Sequence, residues 1–501
     1  MRKHTEIFVC LLALSFASVG SVIGQTHDTD HATAAARAAA TITVADLQAR
    51  LGILAHDSMR GRNTPSPEIM ETAEYVAAQF RAFGLEPGAG DSYLQMYPLN
   101  MLKPGAADKQ GLQITGPDGA AAQLTYGDQF FPLPDRITAQ GSGALVRIES
   151  AETRIDASGK VAVIHVTPSN FRDVFSGNYN EAVSSANPLA TLAVLEVPMP
   201  MFEGMRSALS GERVTLGAAE EAGERPTVFV LQDALPAELA ERISAGTELS
   251  GWSAAVRVSS ESQTVEAPNT VGLLRGSDPQ LKDEYIVFSA HMDHVGVRGA
   301  SDGDSIFNGA DDNASGTVTV VELAEAFASL EQRPRRSLIF LTVSGEEKGL
   351  LGSRWYAEHP TFPLEQTVAN INMDMVGRNW QDTIAVIGKE ESSLGQRVEE
   401  IAAQHAELNM AVIDDIWPDQ NFYRRSDHFN FARNGVPILF FFNGTHEDYH
   451  RASDEPAKIE YEKMSRIGQL IFYLGLDIAN ADQPPEWDPA AYERVVDRAD
   501  G

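Results

Sequence analysis

The chain has 501 residues, 43% of them hydrophobic and 22% charged, which is an ordinary globular composition and predicts more than one domain. Its 70 acidic residues against 39 basic ones give a formal net charge of −31, which disfavours binding to nucleic acid or to anionic membrane surfaces. The single cysteine, Cys10, lies near the N-terminus, so any metal held by the rest of the chain must use nitrogen and oxygen ligands.

The N-terminal segment has the pattern of a secretory signal peptide. A short basic region, Arg2 to His4, precedes residues 8–22, which are mostly apolar but too few to span a membrane. Small residues before Gln25 offer a cleavage site. We therefore predict a signal peptide over residues 1–24 and export to the periplasm or the medium, with no stable membrane insertion afterwards. An uncleaved membrane anchor is the alternative.

The next part of the chain has three different patterns. Residues 25–41 are rich in Thr, Asp, His and Ala and predict a linker. Hydrophobic periodicity predicts helices over residues 44–54 and 69–83. Residues 105–260 alternate short strand-like runs with glycine-rich turns and contain no residue set that suggests catalysis, which predicts a β-rich insertion.

From residue 269 onward, apolar strands alternate with helices. Strands are predicted at 284–291, 337–344, 368–376 and 436–443, and helices at 314–330, 350–358, 394–405 and 462–479. Strands that are apolar on both faces and separated by helices indicate an α/β fold with a mostly parallel central sheet and helices on both faces. Residues 42–104 and 261–480 would form this discontinuous domain around the insertion, and residues 481–501 a polar C-terminal tail.

Acidic and histidine residues cluster just after these strands. The clusters are AHMDH (290–294), NGADDNASG (308–316), SGEEKG (344–349), NMDMVG (372–377) and THEDYH (445–450). Taken alone, a histidine at a strand end is commonly structural, NGADDNASG suits a helix cap, and SGEEKG suits a solvated helix end. Ligands of open α/β sheets bind outside the carboxyl ends of the strands, so we expect the five clusters to converge.

The spacing inside the first clusters suggests metal ligands. His291 followed by Asp293 suits a histidine ligand with a carboxylate that fixes its ring, and His294 is a weaker candidate. A helix cap requires only one carboxylate, whereas Asp311 and Asp312 supply two, so one of them could bridge two cations.

The remaining clusters supply a base and further ligands. Glu346 and Glu347 are adjacent, so one can be a ligand and the other a general base. Asp374 lies in an apolar strand, where a carboxylate needs a metal or a basic partner. His446 or His450 would complete a set of His, Asp, Glu, Asp and His, which suits two zinc ions and a bridging carboxylate.

These motifs, together with SDH (426–428) and DYHRASDEP (448–456), resemble the two-zinc exopeptidases, which include bacterial and fungal aminopeptidases, glutamate carboxypeptidase and the transferrin receptor. The resemblance covers about residues 265–480, while the insertion resembles a protease-associated domain only in position and strand content. It implies a role for each matching residue: His291 and Asp374 on one zinc, Glu347 and His450 on the other, Asp312 bridging, Glu346 as general base, Tyr449 stabilising the oxyanion and Asp293 supporting His291. Many members of the family have Thr-Pro after the last histidine ligand, whereas this chain has HRASDEP. The difference affects a loop and not a ligand.

The function implied by the resemblance is an exported zinc aminopeptidase with two Zn²⁺ per chain that acts on peptides with a free N-terminus. A carboxypeptidase or dipeptidase of the same fold is the nearest alternative, with Arg424 and Arg425 as candidates for binding a substrate carboxylate. A glutaminyl cyclase would use one zinc, and an inactive binding module would have lost ligands, so the complete ligand set disfavours both.

Overall fold

The computed structural model describes residues 33–134, 138–174, 177–217, 225–301 and 303–496. They divide into two compact units, which we call unit 1 (Met1–Gln95 and Pro268–Gly501) and unit 2 (Met96–Ala267). The predicted signal peptide, residues 1–24, lies outside the described residues. None of the helices within those ranges has the length and apolar character needed to cross a membrane.

Unit 1 begins with three helices. The elements up to residue 104 are α1 (33–39), α2 (Val44–Leu54), α3 (Pro67–Ala82), β1 (Glu86–Pro87) and β2 (Leu94–Pro104). Thr43 and Ser66 cap α2 and α3, since each side chain accepts a hydrogen bond from a backbone N–H in the first turn. Part of the predicted linker is thus helical, because its alanines favour a helix and two of them, Ala38 and Ala39, are buried in the core.

The described part of unit 2 contains the expected strands together with four α-helices. Its elements are β3 (Gly111–Thr115), β4 (Ala121–Leu124), β5 (Phe130–Pro132), β6 (Thr138–Arg147), β7 (Val161–Val166), α4 (Phe171–Val174), α5 (Gly177–Ala186), β8 (Ala190–Leu195), α6 (Met199–Leu209), β9 (Arg213–Leu216), β10 (Thr227–Leu231), α7 (Ala237–Ser244) and β11 (Ser253–Leu274), which continues into unit 1. Strands β6, β7, β8 and β10 are parallel neighbours. Parallel neighbours need crossover connections, and helices supply those between β7 and β10.

The rest of unit 1 alternates strands and helices. Its elements are β12 (Tyr285–His291), β13 (Gly296–Ser301), β14 (Asp304–Phe307), α8 (Gly316–Ala328), β15 (Ser337–Val343), α9 (Leu351–Glu358), β16 (Thr367–Met373), β17 (Thr383–Ile387), α10 (Leu394–Gln404), β18 (Ala411–Ile413), α11 (His428–Ala432), β19 (Ile438–Phe442), α12 (Tyr461–Asn480) and α13 (Pro489–Val495). The four strands and four helices predicted after residue 269 are present within a few residues. The predicted polar tail contains α13, which forms because Ala491 and Val495, four residues apart, are both buried.

The sheet of unit 1 has the order β1–β11–β15–β12–β16–β19–β17–β18. Its four central strands, β15, β12, β16 and β19, are mutually parallel. Along β12, Ile286 and Phe288 pack in the hydrophobic core on one face, and Tyr285 and Val287 pack in the core on the other. The predicted α/β fold with a mostly parallel sheet is confirmed, and the carboxyl ends of its central strands meet at one edge.

Candidate metal centre

Polar side chains from five segments gather at the carboxyl edge of the unit 1 sheet. They are His291 at the end of β12, Asp312 in the loop before α8, Glu346 and Glu347 after β15, Asp374 after β16 and His450 in the loop after β19. Parallel strands place their carboxyl ends side by side, which is why residues so distant in sequence meet here.

The first group consists of His291, Glu346 and Asp374. Nε2 of His291 lies 3.3 Å from Oδ1 of Asp374 and 3.4 Å from Oδ1 of Asp312. A zinc ion with bonds of about 2.0–2.1 Å separates tetrahedral ligands by about 3.3 Å, so each of these two distances suits a pair of ligands on one ion. Oε2 of Glu346 lies 4.0 Å from the same nitrogen, somewhat outside that set.

The second group consists of His294, Asp312, Glu347 and His450. Nε2 of His450 lies 3.1 Å from Oδ2 of Asp312 and 3.1 Å from Oε1 of Glu347. Nδ1 of His294 lies 2.9 Å from the same Glu347 oxygen. The two oxygens of Asp312 therefore contact different groups, which is the geometry required of a bridging carboxylate.

The chemistry of these donors fits divalent cations. Oδ2 of Asp312, Oε1 of Glu347 and Oδ1 of Asp374 are all buried without a hydrogen-bond partner. Buried anionic oxygens without partners are costly, and several of them side by side also repel one another. Nitrogen and carboxylate oxygen donors at these separations suit zinc, so the two groups can hold metal ions.

A comparison with protein families identifies the domain that carries both groups. Residues 269–475 match the model described as Peptidase family M28, and this range contains every residue of the first and second groups. Residues 269–475 belong to Peptidase family M28. The chain is therefore a hydrolase of the peptidase class.

Relatives of the M28 domain include aminopeptidases and carboxypeptidase homologues. The chain is 27% identical to aminopeptidase YwaD of Bacillus subtilis, an alignment that covers 76% of this chain and 82% of the relative. It is 24% identical to a glutamate carboxypeptidase 2 homolog of Caenorhabditis briggsae, over 74% of this chain and 50% of that protein. The aminopeptidase of Aneurinibacillus sp. strain AM-1 has a similar fold, with a TM-score of 0.56 at 18% identity over 90% of this chain and 97% of that one.

Asp293 lies beside the first group of the M28 domain and is fully buried. Nδ1 of His291 is 3.2 Å from the backbone oxygen of Asp293 and 3.8 Å from its carboxylate. The carboxylate accepts a hydrogen bond of 3.2 Å from the backbone N–H of Glu346. Burial raises the pKa of Asp293 to about 6. Its carboxylate therefore acts on the His291 ring through charge, while the backbone oxygen is close enough for a hydrogen bond.

The SDH motif, whose role the sequence left open, lies directly beneath the first group. Ser426 donates a hydrogen bond of 2.8 Å to Oδ2 of Asp374, which leaves Oδ1 of that carboxylate free for a metal. Asp427 is fully buried, and burial raises its pKa to about 7. His428 contacts the backbone oxygen of Tyr423 at 2.8 Å, and burial lowers its pKa to about 3, so it is neutral.

Three residues that support the metal centre were not singled out from the sequence. Asp454 accepts hydrogen bonds from the backbone N–H groups of Asp311 and Asp312, which fixes the loop that carries both aspartates. Asp448 accepts hydrogen bonds from Arg378 and Lys458 beside His450. DYHRASDEP contains both aspartates, but only the fold reveals the groups opposite them.

The third missed residue is Arg62, which is fully buried. Its guanidinium donates to the backbone oxygens of Met292, Asn308 and Gly309, so it joins the loop after β12 to the loop before α8. Arg62 lies in the polar segment between the two predicted helices 44–54 and 69–83, where an arginine is ordinarily exposed. Of the two histidines in THEDYH, His450 joins the second group, whereas His446 contacts Asp311 at 3.2 Å.

A cavity opens beside both groups. Apolar side chains form part of its lining: Met375, Phe422, Phe440 and Phe442. Tyr449 also lines it and stacks on His450 with ring centres 4.0 Å apart. Arg425 lines it too, with its guanidinium 4.6 Å from the Phe422 ring centre, whereas Arg424 covers Phe429.

The two adjacent glutamates have opposite pKa shifts. Burial raises the pKa of Glu346 well above its ordinary value, and nearby carboxylates add to this effect. Burial alone would also raise the pKa of Glu347, but the imidazoles of His294 and His450 outweigh it and lower that pKa. Carboxyl groups with separated pKa values can take different roles, one holding a proton and the other remaining an anionic ligand.

Proposed function

We propose that the chain is an exported aminopeptidase that binds two zinc ions and removes N-terminal residues from peptides. The observation that carries the proposal is the position of Asp312, whose two oxygens face two separate donor groups. The predicted ligands on one side are His291 and Asp374, and on the other Glu347 and His450. Zinc bound there would supply Lewis-acid activation of water and of the scissile carbonyl.

In this proposal Glu346 is the general base. Its carboxylate lies beside the first group, 4.0 Å from Nε2 of His291, and also lines the cavity that would hold the substrate. A raised pKa suits a group that accepts a proton from the attacking water and passes it to the leaving amine. Asp293 accepts a hydrogen bond from the backbone N–H of Glu346 and so positions this base.

Tyr449 is placed to stabilise the oxyanion of the tetrahedral intermediate. Burial raises the pKa of Tyr449, so its hydroxyl keeps its proton and can donate a hydrogen bond. Its ring stacks on the ring of His450 with centres 4.0 Å apart, which restricts the position of the hydroxyl.

The charge of the site favours a substrate with a free α-amine. Six carboxyl groups lie in or beside the two donor groups, an excess of acidic groups over the two cations that the site would hold: Asp293, Asp312, Glu346, Glu347, Asp374 and Asp427. An α-ammonium group is attracted to this excess, whereas an α-carboxylate is repelled. The aromatic part of the cavity wall further suits an apolar terminal side chain.

Arg425 favours a second candidate, a carboxypeptidase or dipeptidase of the same fold. Its guanidinium lines the cavity and could pair with a substrate carboxylate. A relative named as a glutamate carboxypeptidase 2 homolog is consistent with this chemistry. The surplus of carboxylates at the donor groups supports the aminopeptidase over this candidate.

Hydrolysis of three substrate sets separates the two candidates. They are aminoacyl chromogenic amides, N-blocked peptides with a free carboxylate, and free dipeptides. We expect cleavage of the amides alone or together with dipeptides, with leucine or phenylalanine preferred and activity lost on addition of a chelator. Cleavage restricted to the N-blocked peptides would overturn the aminopeptidase and support the carboxypeptidase.

Glu346→Gln tests the proposed base. The amide cannot accept the proton, so kcat should fall by about 10²–10⁴-fold while the zinc content stays unchanged. Exposed Glu390→Gln is the control and should retain wild-type kcat. A Glu346→Gln enzyme with wild-type kcat would exclude Glu346 as the base.

Export remains part of the proposal and rests on the signal-like pattern of residues 1–24. N-terminal sequencing of the protein from the periplasm or medium should find Gln25, or a residue close to it, at the mature terminus. Recovery of all the protein in the cytoplasm with its first residues intact would contradict export.

A further inference from the structure

We propose that His294 is a metal ligand, which completes a four-residue protein site with Asp312, Glu347 and His450 at the second of the two metal positions. The resemblance to two-zinc exopeptidases assigns no role to this histidine. The inference deepens the proposed function and rests on it, because it concerns the same metal centre.

The first argument is the separation of the donor atoms. His294, Asp312, Glu347 and His450 each offer one nitrogen or carboxylate oxygen, and these four atoms all lie within 4.8 Å of one another. The His294 nitrogen is 2.9 Å from the Glu347 oxygen and 3.6 Å from the Asp312 oxygen. Both distances are close to the edge of about 3.3 Å expected for a zinc tetrahedron.

The second argument is that the facing atoms of His294 and Glu347 are buried without a well-aligned hydrogen bond. His294 is fully buried, and its Nδ1 has no hydrogen-bond partner although Glu347 is 2.9 Å away. The facing oxygen of Glu347 is also without a hydrogen-bond partner. Neither atom is aligned with the other as a donor and an acceptor, so both remain available to a third atom between them. A neutral imidazole offers a lone pair that suits a metal ion at that position.

The third argument is that the fold makes room for this ring. Gly309 adopts a positive φ of 58°, and a Cβ at this position would lie 2.5 Å from Cγ of His294. The rings of His294 and His450 meet nearly edge to face, at 75° with centres 5.5 Å apart, so they approach the donor set from different directions. Two imidazoles that bind one zinc ion must approach it from different directions, because the ligands of a tetrahedral ion lie along different axes.

The two metal positions then differ in the number of protein ligands. The first has three donor atoms at ligand distance, from His291, Asp374 and Asp312, with Glu346 farther away. The second has four. Structural zinc sites are closed by four protein ligands, whereas catalytic sites keep a position open. We therefore expect the first position to face the reacting atoms and the second to bind its metal more tightly.

Zinc K-edge absorption of the wild-type holoenzyme tests the proposal without any substitution. Histidine ligands His291, His294 and His450 shared by two zincs give an average of about 1.5 imidazoles per zinc, against about 1 if His294 does not bind. A value near 1 would overturn the proposal. A wild-type chain that binds no zinc would overturn the two-zinc function as well. The measurement therefore distinguishes failure of the His294 proposal alone from failure of the proposed function.

Two variants then address the affinity. His294→Leu removes the donor at similar volume and should weaken the tighter zinc by about 100-fold or more, as judged by competition with a chromophoric chelator. His294→Asp supplies an oxygen donor and should regain most of the loss. His405→Leu is the control, because His405 also contacts a glutamate at 3.0 Å but lies outside both groups. Two zincs bound by a folded His294→Leu chain with wild-type affinity would overturn the proposal.

Discussion

The two units of the molecule differ in the polar side chains that they bury. Unit 1 buries ionisable groups at the carboxyl edge of its sheet, including His291, Asp312 and Asp427. In the described part of unit 2, the buried polar side chains are all neutral: Asn100, Gln110, Thr191 and Ser260. Burying charge costs far more than burying amides or hydroxyls unless a counter-charge compensates it. From this difference we expect the proposed bound cations to stabilise unit 1 in addition to its apolar core, whereas unit 2 depends on apolar packing alone.

The core of unit 2 illustrates the second kind of stability. Strands β7, β8 and β10 place Val163, Leu192 and Val228 in one cluster, and Phe131 and Phe229 stack in another with ring centres 4.9 Å apart. Fully buried side chains of this kind contribute about 1.5–3 kcal/mol each and need no ion. The contrast between the units can be tested at several levels.

The largest effect should come from removing zinc. At a free zinc concentration 1,000 times Kd, one bound ion stabilises the folded state by about 4 kcal/mol. We expect a chelator to lower the protection of unit 1 amides from hydrogen exchange, above all in the loops that carry Asp312 and His450. Amides of β7, β8 and β10 in unit 2 should keep their exchange rates. Equal loss of protection in both units would contradict the contrast.

A smaller effect is expected from Asp448→Asn, in the loop of Tyr449 and His450. Burial alone would raise the pKa of Asp448, but hydrogen bonds from Lys458, Ser453 and Arg378 outweigh it and lower that pKa below its ordinary 3.8. The substitution leaves these cations without their anion and should lower the free energy of unfolding by about 2–3 kcal/mol near pH 7.

The pH dependence of that difference follows from the direction of the shift. A carboxyl group whose folded pKa is lowered contributes stability that is fully present above its unfolded pKa. The contribution is lost as the pH falls from about 4 towards the lower folded pKa. The melting temperatures of Asp448→Asn and the wild type should therefore differ most above pH 5 and converge in acid. A constant difference down to pH 2 would show that the charge of Asp448 is not the cause.

Ser426→Ala should have a more local effect. The hydroxyl orients Asp374 through a hydrogen bond of 2.8 Å, and loss of such a partner commonly weakens metal binding by about 10–100-fold. We expect the affinity for one of the two zinc ions to fall about tenfold, at the low end of that range, as measured by chelator competition. Ser426→Thr keeps the hydroxyl and is the control. Equal weakening of both zincs would contradict the assignment of Ser426 to the first group.

The strands and the convergence of the polar clusters that follow them could be predicted because both depend on local pattern. Runs such as SLIFLTVS are apolar on both faces, which identifies a buried parallel strand, and the polar residues after them are confined to the carboxyl edge. The helix in the alanine-rich segment after residue 32 was missed, because composition alone does not distinguish a helix that is held by packing from a polar linker.

The supporting residues could not be predicted because their partners are distant in sequence. Arg62 joins loops more than 200 residues away from it, and Asp454 accepts hydrogen bonds from backbone groups, which leave no trace in the sequence. His294 was a weaker candidate than His291 because spacing along a strand end does not show which ring turns towards Glu347. Only the converged loops show that both histidines face a carboxylate.

The smallest effect should come from His165→Ala in unit 2, which contains a histidine–carboxylate pair of its own. Nε2 of His165 lies 2.8 Å from Oε2 of Glu196, closer than His450 lies to Glu347. The Glu196 side chain is 51% exposed, however, against 6% for Glu347, so water already solvates its charge. Exposed pairs contribute about 0–1 kcal/mol, and we expect the free energy of unfolding to change within that range with zinc affinity unchanged. The contrary outcome is that His165→Ala weakens zinc binding as strongly as the substitution of a ligand. A short histidine–carboxylate distance would then identify a metal-binding pair even where the carboxylate is exposed. The contrast between the two units, which depends on burial, would be wrong.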